Sequence, residues 1–149
     1  VLLEFMEISV ERMSLLNCNC FYTRKAARRL TQIYDATLAP SGIRSTQYMI
    51  LAVLYERGRL SVNELAGLMV IDRTAMGKNL KPLERDALIA VNVSDEDRRS
   101  RTITLTKKGS KVLEEAYPLW KTAQSRFEKK HGKQFSEDLR GMLHVVAED

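Results

Sequence analysis

A chain of 149 residues has room for one domain of ordinary size. Its 44% hydrophobic and 29% charged residues can build a core and exclude a disordered chain. A net charge of +5 and a pI near 9.3 point to a polyanionic partner, with nucleic acid first among them, although solubility alone could account for +5.

Residues 1–10 form an apolar run broken by Glu4 and Glu7. It lacks the basic start and small-residue cleavage site of a signal peptide. No stretch approaches about 18 uncharged apolar residues, so no membrane span is expected. From about 14 to 38, Leu15, Cys18, Tyr22, Ala26, Leu30, Ile33 and Thr37 recur at three- and four-residue steps. That spacing predicts one long amphipathic helix, ended by Pro40-Ser41-Gly42. A second helix is expected over about 45–56, stopping at Gly58. Ser61 and Glu64 then make a capping box, in which each side chain takes the other's backbone amide. The short helix it opens ends near Met69. Asp72 is the next N-cap and opens a helix that reads DRTAMGKNLKPLERDAL. Two short helices so closely joined predict a helix-turn-helix.

After Leu88 the period changes to two. Ile89, Val91 and Val93, then Ile103 and Leu105, flank a charged turn over 94–100, which predicts a hairpin. Thr106 caps a long helix carrying Leu113, Ala116, Tyr117, Trp120, Ala123 and Phe127. Pro118 inside it predicts a kink or a lost hydrogen bond. Gly132 ends that helix, and Ser136 is expected to start a last one through Leu139, Leu143 and Val146.

A helix-turn-helix followed at once by a basic hairpin is a winged-helix arrangement. Its second short helix fits the major groove of duplex DNA, and the hairpin tip lies over the neighbouring backbone or minor groove. On the helix opened by Asp72, Arg73, Thr74, Lys78, Asn79 and Lys81 offer donors to bases and phosphates. On the wing, Arg98, Arg99 and Arg101 do the same. A solvated polar face and a charged surface turn are the plain alternatives, and Asp95, Glu96 and Asp97 lend weight to the second.

Two stretches carry a family resemblance: DRTAMGKNLKPLERDALI at 72–89 and DRRSRTITLTKKG at 97–109. With them, the chain from about 15 to 148 resembles a MarR-type regulator, of the multiple-antibiotic-resistance regulator family. Asp97, Arg99, Leu105, Thr106 and Gly109 match that family's wing signature. The resemblance implies that Asp97 braces the wing, that Arg99 or Arg101 reaches the minor groove, and that the chain is a homodimer. Dimer helices over 14–38 and 107–149 would flank a winged-helix core over 45–106, all within one domain, 1–149. Ala87 stands where many members have Gly. If φ is positive there, Ala costs about 1 kcal/mol.

Cys18 and Cys20 make no disulfide framework, and a reducing cytoplasm is the expected location. Two apart on a helix, they would stand roughly 200° apart around its axis and could not easily bridge each other. The stretch Cys20, Phe21, Arg28, Thr31, Tyr34 resembles the first helix of the family's organic-hydroperoxide-sensing branch, where an oxidised cysteine is held by tyrosines. Tyr34 stands at one of those tyrosine positions, but Arg24 and Ser45 occupy the other two. Arg24 lies one turn from Cys20, within range to lower its pKa. Small apolar fillers of a helix interface are the simpler account of both cysteines. His131 and His144 lie in polar surroundings and far from the cysteines, so no metal is expected. With no nucleophile elbow, phosphate-binding glycine loop, HExxH or CxxC, neither an enzyme nor a cofactor is expected. An adaptor that keeps the fold without binding DNA is the third class, and the wing arginines speak against it.

Together these features predict a mainly α, α+β winged-helix homodimer that binds a pseudo-palindromic operator in double-stranded DNA and represses a gene. A small apolar or aromatic effector, seated between dimer helices and DNA-binding core, would release it. The alternative is a thiol-based sensor using Cys20.

Overall fold

In the computed structural model, which describes residues 14–148, the expected mainly helical winged-helix architecture is present. The signal-peptide reading of 1–10 lies outside the described residues. Helix α1 is Asn19–Leu38, α2 Ser45–Arg57, α3 Val62–Leu68, α4 Arg73–Arg85, α5 Lys107–His131 and α6 Lys133–Ala147. Strands β1 (Leu60–Ser61), β2 (Ile89–Val93) and β3 (Arg101–Leu105) form one antiparallel sheet in the order β1-β3-β2. The chain divides into two units within α1, Val1–Ile33 and Tyr34–Asp149.

The first unit begins later as a helix than its periodicity predicts. Ser14 caps a single 3-10 turn, Leu15–Asn17, rather than an α-helix. Cys18 then turns extended, at φ −90° and ψ 105°, and its Sγ accepts from the Phe21 amide at 3.3 Å. Cys18 therefore precedes α1 and caps it, so the helical-wheel separation from Cys20 does not apply. Both thiols are free, and Cys20 is exposed.

The second unit holds the core. Leu38, Ile50, Leu51, Leu54, Leu65, Met76, Leu83 and Ile103 are fully buried or nearly so, and Leu113 and Ala116 bring the start of α5 into the same cluster. Caps set the helix starts. Ser61 and Glu64 make the reciprocal box at 3.1 and 2.7 Å. Asp72 takes the Ala75 amide at 3.0 Å, and Thr106 takes that of Gly109 at 2.9 Å. Helix α5 runs on through Pro118 and stops before Gly132, whose φ is 96°. Ser136 does not open α6. The helix starts at Lys133, and the Ser136 hydroxyl instead donates to the Gly132 carbonyl at 3.0 Å inside the first turn.

Hairpin β2–β3 pairs from Ile89 with Leu105 to Val93 with Arg101. The unexpected third strand is β1, which pairs Leu60 with Ile103 and Ser61 with Thr102. Gly109 explains its place in the wing signature. A Cβ there would run into the Leu88 carbonyl oxygen and lie 2.8 Å from Leu105 Cδ1, so only glycine lets α5 pass so close to the hairpin's base.

Candidate nucleic-acid interface

Helix α4 buries Met76, Leu80 and Leu83 against the core. Their spacing turns Thr74, Lys78 and Lys81 outward as one exposed stripe, each a turn apart. Arg85 extends that stripe by another turn, although Asp86 holds it in a 3.2 Å ion pair. Asn79 is half-buried, about 100° around the axis from Lys78, and so lies on the flank of the stripe.

The wing turn is closed by the Ser94 amide on the Ser100 carbonyl at 2.8 Å. Asp97 Oδ1 accepts the Arg99 amide at 2.9 Å, which folds the tip locally. Arg98, Arg99 and Arg101 are all exposed. Because β1 is zipped to β3, the start of α3 is carried next to the wing. The result is a cleft of about 200 Å3 lined by Ser61, Asn63, Arg73, Asp97, Arg99 and Arg101, among others. Arg73 of α4 thus meets two wing arginines across a shared hollow, while Arg98 lies outside it. None of the three lining arginines is in an ion pair among the described residues, so their guanidinium donors are available. Asn63 and Arg85 were missed in the sequence. Arg85 was readable four residues after Lys81, whereas Asn63 depends on a strand pairing with no local signal.

The Ser61 hydrogen bonds, backbone first, hold the Glu64 carboxyl below its ordinary 4.5. A second cavity, of about 390 Å3, lies between α2 and α5. Among the described residues no three His, Cys, Asp or Glu side chains are placed to hold a metal, and no helix is long and apolar enough to cross a membrane.

A helix-turn-helix with an outward basic stripe, an arginine-bearing wing and a cleft joining the two defines a winged helix-turn-helix regulator. The MarR family model matches residues 43–100. The organic hydroperoxide resistance transcriptional regulator of Bacillus subtilis (strain 168) is 31% identical over 141 residues, 95% of this chain and 92% of that protein. The M. tuberculosis transcriptional regulator MosR, solved in complex with DNA, is 35% identical with a TM-score of 0.80, over 89% of this chain and 95% of that one. The transcriptional repressor CouR, bound to a 23-mer DNA duplex, is 26% identical at a TM-score of 0.80, over 89% and 94%. This chain belongs to the MarR family of DNA-binding transcription regulators, and it is not an enzyme.

Proposed function

We propose that the protein is a cytoplasmic homodimeric repressor that grips a pseudo-palindromic operator with α4 and the wing and is released by a small apolar or aromatic effector. The carrying observation is the convergence of Arg73, Arg99 and Arg101 on one cleft beside the exposed stripe of α4. In this account Thr74, Lys78, Asn79 and Lys81 enter the major groove. Arg99 and Arg101 follow the adjacent backbone or minor groove with Arg98 at the tip, and Asp97 keeps the turn in shape.

Dimerisation is supported by what the core leaves uncovered. Leu15, Leu16, Tyr22 and Ile33 are exposed in the first unit, and Phe135, Met142, Leu143, Val145 and Val146 on α6 of the second. Apolar surface on that scale calls for a partner, and a second copy has the symmetry that a palindromic site requires. Residues 45–106 are thus assigned to DNA, and 14–38 and 107–149 to the dimer. The cavity between α2 and α5 joins these two parts and suits an effector that changes their relative placement.

The test begins with selection of bound sequences from random duplex DNA. Footprinting should then protect two half-sites, and sedimentation should give twice the 17.0 kDa chain mass. Arg99→Ala and Arg101→Ala should each weaken binding and lower the salt slope by about one for every phosphate left without its cation. Unchanged affinity and slope in both variants would remove the wing from the interface.

A second reading, release through oxidation of Cys20, is favoured by the exposure of that thiol and by the name of the Bacillus relative.

A further inference from the structure

We propose that the cavity between α2 and α5 is a receptor for a small aromatic organic cation. It rests on the effector role proposed above and gives that effector a chemical class. Tyr48 and Tyr55 stand two turns apart on α2, and Tyr117 faces them from α5, so aromatic rings wall the cavity from both helices. Trp120 stacks parallel to Tyr48 and to Tyr117, at centroid distances of 5.9 Å in both cases, and fixes these rings from behind. Ring faces carry negative electrostatic potential and attract cations. The Tyr117 ring already receives one, since Lys121 Nζ lies 5.9 Å from its centroid, although Lys121 does not line the cavity.

Charge at the rim has the same sign. Glu56 and Glu114 both line the cavity, both are exposed, and among the described residues no Lys, Arg or His lines it. Neither glutamate is in an ion pair among the described residues. A carboxylate ligand would meet two like charges there, whereas a cation would neutralise them. The Tyr48 hydroxyl has no protein hydrogen-bond partner among the described residues, which leaves it for a ligand. Burial, then the neighbouring Tyr117 and Glu56, push its phenol above the ordinary 10, so it stays protonated. At about 390 Å3 the space suits a ligand of one or two rings.

The protein carries its own reporter, because Trp120 is its single tryptophan. The full chain should be titrated with benzyltrimethylammonium, benzyl alcohol and benzoate while Trp120 fluorescence is read. The cation should bind about tenfold or more tighter than the alcohol, with benzoate weakest. In the Glu56→Gln/Glu114→Gln variant, whose exposed sites tolerate the change, that preference should shrink severalfold to what the aromatic rings alone supply. Equal binding of the three probes, no saturable binding of the cation, or a preference undiminished in the variant would overturn the proposal. Operator DNA in the same cuvette separates the two claims. Cation binding without DNA release keeps the receptor and removes its effector role. DNA release by a neutral or anionic compound, with no cation binding, keeps the effector role and overturns the cation.

Discussion

Ala87 and Val70 hold backbone angles that side chains rarely adopt, with φ of 57° and 51°. Each closes a helix of the helix-turn-helix in the same way. After α4, Leu88 donates to the Leu83 carbonyl at 2.9 Å and Ala87 to that of Glu84 at 3.0 Å. After α3, Ile71 donates to Ala66 at 2.9 Å and Val70 to Gly67 at 3.2 Å. This paired pattern places the strained residue just past the helix end, where glycine is favoured. Ala87→Gly should therefore stabilise the fold by about 1 kcal/mol and raise the melting temperature by about 2–4 °C at fixed protein concentration. An unchanged or lower melting temperature would show that Ala87 carries no strain. The other residue-scale prediction concerns Glu64. Its folded-state pKa is lowered, so its contribution is present above the ordinary 4.5 and is lost as pH falls through the folded value. Glu64→Ala should thus be less stable than the parent near neutral pH, by denaturant midpoint, and the gap should close in acid. A gap of equal size at both pH values would mean that the carboxylate charge plays no part in the cap.

At the scale of elements, what was legible in the sequence had a local cause. Ser61, Asp72 and Thr106 announced their helices because each cap bonds an amide three residues on. The wing turn was readable because its charged run interrupts two alternating strands. Strand β1 was not, since two residues carry no period and the pairing partner lies some forty positions away. With β1 went the cleft, so the arginines were identified but their meeting with Arg73 and Asn63 was not. The start of α1 was misplaced because Leu15 fits a helical period that the extended Cys18 breaks. The start of α6 was misplaced because Ser136, a good cap by type, is spent inside the helix. On α4, the exposed stripe and its flank share one expectation. Lys78→Ala and Asn79→Ala should each relax base choice, at about 1–3 kcal/mol per good base contact, in selections from random duplex DNA. If instead every sequence weakens alike, both residues hold phosphates, and the reading of bases passes to Thr74 and the wing.

For the whole molecule, the proposed release from DNA has two readings, a bound effector or an oxidised thiol. A peroxidatic thiolate needs donors to stabilise it and a low pKa to make it abundant. The residues at two of the positions where the hydroperoxide-sensing branch has its tyrosines are otherwise engaged. Tyr34 donates its hydroxyl to Gln124 Oε1, and burial above all raises its phenol's pKa. Ser45 gives both its amide and its hydroxyl to Asp35 Oδ1, each at 2.7 Å, fastening the end of α1 to the start of α2. At the third position, Arg24 is a flexible exposed cation that water can satisfy as well as a thiolate can. A cavity walled by aromatic rings, by contrast, is already formed between α2 and α5. The expected outcome is that Cys20→Ser binds the operator and responds to its effector as the parent does. Mild hydroperoxide treatment should leave the parent bound in a gel-shift assay, with Cys18→Ser run alongside because that thiol also lies free at the start of α1. If treatment releases the parent while Cys20→Ser stays bound, oxidation of Cys20 takes the place of the ligand as the signal.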